Sequence, residues 1–229
     1  MSAPKRAYRT KYEALFLPIG RLIAKTGIKA NHLTTLSILV AIGGFFFYSY
    51  RILLLGLTFM ILASIVDMLD GSVARATDTD TRFGSVFDPV ADRYVEFFFL
   101  LGMDFGEYAP HGWVLFTFCG MIMASYVRAR AESSGGLESC SVGIAERKEK
   151  MTILGLGTFF EFLITTDWLK EKWAEVWSWS YDFGLIEVTS DFGPLAIAIL
   201  IVGILSHISA MQRLSFTFKA TKTPTRDEN

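Results

Sequence analysis

The sequence predicts an all-α, polytopic membrane protein in which six transmembrane helices follow an amphipathic interfacial helix at the amino terminus. Three observations lead to this fold class. Hydrophobic residues make up 52% of the 229 residues, and 20 of these are Phe. The apolar residues form long runs rather than an amphipathic pattern, and a membrane-spanning helix needs about 20 of them. Lys and Arg residues are concentrated in alternate links between these runs, as the positive-inside rule expects.

The amino-terminal segment, residues 1–32, is basic and has apolar residues at helical spacing. It lacks the short apolar core and small-residue cleavage site of a secretory signal, so no cleavable signal peptide is expected. Apolar side chains such as Tyr12, Leu15, Ile19 and Leu22 are interspersed with the basic residues. This pattern is typical of a helix that lies on an anionic membrane surface. The alternative is an ordinary helix packed on the rest of the protein.

Six apolar segments are long enough to cross the hydrocarbon core of a bilayer. They lie near residues 33–50, 51–74, 84–106, 112–132, 151–168 and 192–213. We therefore expect a membrane domain over residues 33–216, followed by a polar tail, residues 217–229, that is predicted to be disordered. The external link at 169–191 contains three Trp residues at roughly helical spacing and is predicted to include a short interfacial helix.

The distribution of basic residues predicts the orientation in the membrane. If the amino terminus is cytoplasmic, all but three of the 22 Lys and Arg residues lie on the inner side, the exceptions being Arg51, Lys170 and Lys172. Both termini and the link between the second and third segments are then cytoplasmic. We expect a multi-pass protein of the cell membrane with no nucleic-acid partner.

Four carboxylates lie at the inner ends of the second and third apolar segments. Asp67 and Asp70 are three residues apart, and Asp88 and Asp92 are four apart, so each pair shares one helix face. An unpaired charge at a membrane edge costs on the order of several kcal/mol. Carboxylates without nearby His or Cys are the ligands that Mg²⁺, Mn²⁺ or Ca²⁺ prefers. Two such ions would balance four carboxylates, as expected where a phosphoanhydride is attacked in line.

Small residues and one arginine accompany the carboxylates. Gly71 has no side chain and lets a ligand approach the backbone, and Ala74 adds little bulk one turn later. Arg75 offers a forked donor suited to a diphosphate. Gly84, one turn before Asp88, would keep the third helix close to the same cavity.

Together these residues resemble the signature of the CDP-alcohol phosphatidyltransferase family at every fixed position and every gap. The matching pattern is Asp67-x2-Asp70-Gly71-x2-Ala74-Arg75-x8-Gly84-x3-Asp88-x3-Asp92. The family's architecture, six transmembrane helices after an amphipathic helix, extends the resemblance over nearly the whole chain. The resemblance implies a reaction in which a hydroxyl attacks the β-phosphorus of a CDP-linked alcohol and CMP leaves.

The resemblance also implies roles for individual residues. Asp67, Asp70 and Asp88 would hold two metal ions, Mg²⁺ or Mn²⁺, and Asp92 would help to position them or serve as general base to the attacking hydroxyl. The family has an Asn-x-x-Thr element before its first membrane helix, with Ala30 here in place of the usual Pro. The implied CDP-lipid site comprises Asn31, Thr34, Gly71, Ala74, Arg75 and Gly84.

Four arginines predict a site for the phosphate of the acceptor alcohol: Arg128, Arg130, Arg147 and Arg213. Basic residues are common in inner loops, but Arg128 and Arg213 lie within or at the ends of apolar segments, where charge needs another explanation. The sequence elements around them resemble the phosphatidylinositol-phosphate synthase branch and its archaeal counterpart. These elements are SYVRARAESSG (125–135), IAERKEK (144–150) and MQRLSF (211–216). That resemblance implies inositol phosphate as acceptor, CDP-diacylglycerol or CDP-archaeol as donor, and a homodimer.

Two alternatives stay open at the level of sequence. The stretch DPVAD, residues 88–92, also resembles phosphatidylglycerophosphate synthases, although those usually continue with Lys where this chain has Arg93. In a different functional class, a cation transporter would account for the four Asp residues but not for the accompanying Gly71, Ala74 and Arg75. Glu96 is expected to pair with Arg93 or with an arginine of the fourth segment.

Overall fold

A computed structural model describes residues 18–77, 81–165, 181–182, 187–188 and 192–222. This part of the chain is predominantly helical, as predicted. Its long helices are α1 (Ala30–Ser49), α2 (Leu53–Thr77), α3 (Arg82–Phe105), α4 (His111–Ser133), α5 (Arg147–Thr165) and α6 (Pro194–Lys222). Residues 18–24 are also helical. Two strands of two residues each, β1 (Tyr181–Asp182) and β2 (Glu187–Val188), pair antiparallel.

Each predicted apolar segment coincides with one long helix, and one difference corrects the sequence-based expectations. Helix α6 continues to Lys222, so residues 217–222 of the predicted disordered tail are helical. Its last turn contains Lys219 and Lys222, and cations near a helix carboxyl terminus interact favourably with the helix dipole. In the link at 169–191, residues 181–182 and 187–188 form the strands β1 and β2. The Trp-containing part of that link lies outside the described residues.

Four of the helices, α1, α2, α4 and α6, are long and apolar enough to cross a membrane. Charged side chains interrupt the apolar sequence of α3 and occupy the first turn of α5. Composition alone therefore does not identify these two helices as membrane-spanning. Large apolar side chains nevertheless face outward on α5 as on its neighbours, for example Leu156, which is 52% exposed, and Leu115 of α4, which is 66% exposed. Such outward apolar surface is typical of helices in contact with lipid or a partner.

The chain divides into two compact units, and the first comprises Met1–Gly102. In this unit α1 and α2 run antiparallel. Gly43 of α1 lies against Phe59 of α2, and Gly56 of α2 lies against Tyr48 of α1, since a Cβ at either glycine would meet the ring of that partner. Glycines that let helices approach closely are typical of packing within membranes. Helix α3 follows α1 in parallel, with Gly102 against the backbone of Phe45. The beginnings of α1 and α3 therefore lie beside the end of α2.

The second unit comprises Met103–Asn229. Here α4 and α6 lie side by side, and Thr117 Oγ1 of α4 donates a hydrogen bond to the carbonyl oxygen of Ile199 in α6 at 2.7 Å. Helix α5 also packs against α6, where a Cβ at Gly157 would meet Ala198. Most of the buried side chains of this unit are apolar, and the hydroxyl groups of Thr158, Ser206 and Ser209 donate to carbonyl oxygens of their own helices.

Candidate active site

Three carboxylates meet where the end of α2 passes the start of α3. One oxygen from each of Asp67, Asp70 and Asp88 lies within 4.8 Å of the others. Asp70 is buried, Asp67 is half-buried and Asp88 is exposed, so the cluster is accessible from the side of α3. Two oxygens that bind one ion at 2.0–2.6 Å are at most about 5 Å apart. The three oxygens are therefore close enough to share a cation.

Asp70 is held by a hydrogen bond from the first helix. Thr34 Oγ1 of α1 donates to Asp70 Oδ2 at 2.7 Å, and both residues are buried, with 4% and 7% of their surface exposed. A carboxylate accepts hydrogen bonds at both oxygens, so this bond leaves capacity for a further ligand. The expected CDP-lipid residue Thr34 thus has its hydroxyl directed to a carboxylate of the cluster.

The start of α3 is formed by a side-chain cap, and it lies against α1. Thr81 Oγ1 accepts a hydrogen bond from the backbone N–H of Gly84 at 2.9 Å, which satisfies one of the free donors of the first turn. A Cβ at Gly84 would be 3.4 Å from Asn31 Oδ1. Two residues of the predicted CDP-lipid site, Asn31 and Gly84, are therefore neighbours.

The last turns of α2 bring Arg75 over Gly71. A Cβ at Gly71 would be 3.3 Å from Arg75 Nη1, and Arg75 Nη2 donates to Ser72 Oγ at 3.4 Å. Gly71 and Ala74 are half-buried and Arg75 is exposed. The guanidinium thus lies along the helix surface near the carboxylate cluster, with donors available for a phosphate.

The amino-terminal segment packs against the same turns of α2. Gly20 is buried, and a Cβ there would lie 2.7 Å from the carbonyl carbon and oxygen of Ser72. Ile23 packs against the cluster of Leu33, Val66 and Val73 that joins α1 to α2. Sequence reasoning gave Gly20 no role, because nothing in the local sequence shows which backbone it will meet.

Asp92 lies one turn after Asp88 on α3, beside an ion pair. Its Oδ2 is 4.0 Å from Arg93 Nη2, and Arg93 Nη1 is 2.8 Å from Oε2 of the buried Glu96. The pairing of Glu96 with Arg93 confirms the expectation for that residue. Among the described residues, Asp92 is not a member of the three-carboxylate group, so its metal and general-base roles stay predictions.

In the second unit Arg213 is buried and joins α6 to α4 and to the loop before α5. Its Nε donates to the carbonyl oxygen of Val142 at 2.8 Å, and its Nη1 donates to that of Ala124 at 2.6 Å. A Cβ at Gly143 would be 3.5 Å from Arg213 Nη2. Sequence reasoning expected phosphate binding from Arg213 and did not foresee these backbone contacts.

The other predicted acceptor arginines have varied surroundings. Arg128 Nε donates to Glu132 Oε1 at 3.1 Å, and the same oxygen accepts from the backbone N–H of Cys140 at 2.9 Å. Arg130 is exposed near the end of α4, and Arg147 is half-buried at the start of α5. Glu132, which sequence reasoning missed, therefore fixes both Arg128 and the loop that follows α4.

Comparison with known families explains why these residues occur together. Residues 28–184 match the family model described as CDP-alcohol phosphatidyltransferase. The chain belongs to this family. It is therefore a phosphatidyltransferase, and a membrane protein, as the apolar helices indicate.

Curated relatives of this phosphatidyltransferase occur in archaea and bacteria. The chain is 33% identical over 143 residues to an archaetidylinositol phosphate synthase of Pyrococcus horikoshii, over 62% of this chain and 75% of the relative. It is 35% identical to the archaetidylinositol phosphate synthase of Methanothermobacter thermautotrophicus, over 64% of this chain and 73% of the relative. A phosphatidylinositol phosphate synthase of Mycobacteroides abscessus is 36% identical over 47% of this chain and 50% of the relative.

Solved structures share the fold of this phosphatidyltransferase. One is the crystal structure of Mycobacterium tuberculosis phosphatidylinositol phosphate synthase with CDP-DAG bound, with a TM-score of 0.70 and 23% identity over 94% of this chain and 98% of that one. Another, in complex with manganese and citrate, also has a TM-score of 0.70, over 93% of this chain and 92% of that one.

The acidic cluster of this phosphatidyltransferase fits a divalent cation. Its donors are carboxylate oxygens, the ligands of Mg²⁺ and Mn²⁺ rather than of zinc or copper. An ionised carboxylate as buried as that of Asp70 is costly without a positive partner. The donor type, the oxygen separations and the burial of Asp70 all suit a bound metal ion.

Proposed function

We propose that this phosphatidyltransferase transfers a phosphatidyl or archaetidyl group from a CDP-lipid to a hydroxyl of inositol phosphate and releases CMP. The observation that carries the proposal is the meeting of Asp67, Asp70 and Asp88 within 4.8 Å, next to Gly71 and Arg75 of the family signature. This arrangement supports a metal site close to a donor group suited to a diphosphate. Family membership decides against the cation-transporter alternative.

The residues of the site have distinct parts in the proposed reaction. Asp67, Asp70 and Asp88 would hold the divalent ions, two Mg²⁺ or Mn²⁺, which supply positive charge that neutralises the diphosphate. Arg75 would donate hydrogen bonds to phosphate oxygens. Asn31, Thr34, Gly71, Ala74 and Gly84 would form the surrounding CDP-lipid site.

Asp92 is proposed as the general base of the transfer. The acceptor hydroxyl oxygen forms a bond to the β-phosphorus, the bond between that phosphorus and the oxygen of CMP breaks, and CMP leaves with the electron pair. The hydroxyl proton passes to the Asp92 carboxylate. Arg93 Nη2 lies 4.0 Å from Asp92 Oδ2.

Relatives and charge support inositol phosphate as the acceptor. The relatives from two archaea are named archaetidylinositol phosphate synthases, and bacterial ones phosphatidylinositol phosphate synthases. A phosphomonoester carries nearly two negative charges, so its site needs several converging donors. We propose that Arg128, Arg130, Arg147 and Arg213 provide them.

The proposed enzyme is a multi-pass protein of the cell membrane. We propose that all six long helices cross the bilayer, with both termini and the active site on the cytoplasmic side, and that the protein is a homodimer. The charge asymmetry of the links supports the orientation. The exposed Arg21, Lys25 and Lys29 support contact of the amino-terminal segment with anionic lipid.

A second candidate acceptor is glycerol phosphate. The sequence DPVAD, residues 88–92, resembles phosphatidylglycerophosphate synthases and favours this alternative. Both acceptors carry a phosphomonoester, so the arginines alone do not discriminate between them.

The decisive experiment supplies the purified protein in liposomes with CDP-diacylglycerol or CDP-archaeol and with one acceptor at a time. The acceptors are inositol phosphate, glycerol phosphate, serine and free inositol, and the measurement is CMP release. We expect inositol phosphate to be used and free inositol to be refused. Preference for glycerol phosphate would support the second candidate, whereas absence of CMP release with every acceptor would contradict the transferase proposal.

A further inference from the structure

We propose that Thr34 is a positioning residue for the metal site, which holds the Asp70 carboxylate in the orientation that a divalent cation requires. The inference rests on the proposed function, because it assumes that the carboxylate cluster binds a metal ion. It gives Thr34 a role in addition to the CDP-lipid contact proposed above.

The first support is the geometry of the bond. Thr34 Oγ1 lies 2.7 Å from Asp70 Oδ2 and 3.2 Å from the carbonyl oxygen of Ala30, one turn earlier in α1. A hydroxyl has one proton to donate, and a carboxylate can only accept, so the shorter contact to Asp70 takes the proton. Charge-assisted hydrogen bonds of this type are the stronger ones.

The second support is what this bond does to the carboxylate. Rotation of a carboxyl group about its last side-chain bond is otherwise broad, so an unsupported Asp has no fixed direction for its oxygens. With Oδ2 tied to α1, the Asp70 carboxylate is oriented while one of its oxygens lies within 4.8 Å of oxygens from Asp67 and Asp88. Hydrogen bonds that orient metal ligands in this way typically change metal affinity by about 10–100-fold.

The third support is burial. Thr34 is 4% exposed and Asp70 is 7% exposed, so little water can replace the hydroxyl if it is removed. The adjacent Thr35 provides a contrast, since it is exposed and its Oγ1 donates to the carbonyl oxygen of Asn31 in its own helix at 2.9 Å. Thr35 therefore offers a matched control on the same helix.

The test is a titration of the full-length protein in detergent with Mn²⁺, without CDP-lipid, followed by the EPR signal of free Mn²⁺. The variants are Thr34→Val, which keeps the shape and removes the hydroxyl, Thr34→Ser, which keeps the hydroxyl, and Thr35→Val. We expect Thr34→Val to weaken Mn²⁺ binding about 10–100-fold, and Thr34→Ser and Thr35→Val to bind nearly as the unaltered protein does. Thr34→Ala provides a second removal of the hydroxyl if the valine variant does not fold.

A double-variant cycle tests whether Thr34 orients the Asp70 carboxylate for the metal ion or only holds α1 against α2. In an Asp70→Asn background, Thr34→Val should cause no further loss of Mn²⁺ affinity, because the ligand that Thr34 orients is already changed. Unchanged Mn²⁺ affinity in folded Thr34→Val or Thr34→Ala would overturn the inference, and weakened CDP-lipid binding alone would instead indicate a nucleotide contact. If the expected Mn²⁺ results are obtained but no acceptor yields CMP release, the proposed function fails while the positioning role stands.

Discussion

Arg213 in α6 donates a hydrogen bond from Nη1 to the carbonyl oxygen of Ala124 in α4, and the two atoms are 2.6 Å apart. A second bond, from Nε to the carbonyl oxygen of Val142, holds the loop before α5. The arginine is 9% exposed, so water has little access to its guanidinium group. Any part that Arg213 has in acceptor binding is therefore combined with a structural one.

Replacing Arg213 should consequently affect both stability and acceptor use. In Arg213→Ala, loss of the bonds to Ala124 and Val142 should destabilise the fold, because a hydrogen bond from a charged donor contributes about 1.5–3 kcal/mol. We also expect the KM for inositol phosphate to rise about tenfold or more, as loss of one charge-assisted bond implies. Thermal unfolding in detergent and steady-state kinetics measure the two effects.

Arg130 provides the comparison for this prediction. It is exposed near the end of α4, so Arg130→Ala should raise the acceptor KM with little change in thermal stability. CDP-lipid affinity should stay nearly constant in both variants. If Arg213→Ala instead weakens only CDP-lipid binding, the acceptor assignment of Arg213 is wrong.

Activity should depend on a divalent cation and on each carboxylate of the cluster. Asp67→Asn, Asp70→Asn and Asp88→Asn should each abolish CMP release, because each removes a charged oxygen from the group that meets within 4.8 Å. After treatment with EDTA, added Mg²⁺ or Mn²⁺ should restore CMP release by the unaltered enzyme. Asp104→Asn, further along α3, is the matched control and should retain activity. Full CMP release in excess EDTA would contradict the metal proposal.

Asp92→Asn should separate chemistry from binding. If Asp92 is the general base, this variant should bind CDP-lipid normally but lose about 10²–10⁴-fold in kcat. The measurements are CDP-lipid affinity by equilibrium binding and turnover by CMP release at saturating acceptor. Near-normal turnover would remove Asp92 from the proton transfer.

Much of the helical framework could be predicted because it depends on runs of apolar residues. The same is true of the meeting of Asp67 and Asp70 with Asp88, since helical spacing places the first two on one face and a short link joins the two helices. The continuation of α6 to Lys222 was missed because hydropathy falls near its end, while backbone hydrogen bonds continue the helix.

Contacts between distant side chains and backbone groups could not be predicted from the sequence. The hydroxyl of Thr34 meets Asp70 only because α1 and α2 pack antiparallel in one particular register. The partners of Arg213 are backbone carbonyls, which every residue possesses and no side-chain pattern reveals. Residue type therefore predicted which side chains carry the chemistry, whereas packing decided what orients them.

Gly20 provides a test of whether the amino-terminal segment supports the CDP-lipid site. A side chain at Gly20 would meet the backbone of Ser72 at 2.7 Å, and Ser72 contacts Arg75 through its hydroxyl. Backbone cannot move aside as a flexible side chain can, so Gly20→Val should displace the segment and weaken CDP-lipid binding about tenfold, the effect of losing about 1.4 kcal/mol. Gly112→Val is the control, because a Cβ there meets no atom within 4 Å. Equal CDP-lipid affinities in the two variants, measured by equilibrium binding in detergent, would show that the segment does not support the site.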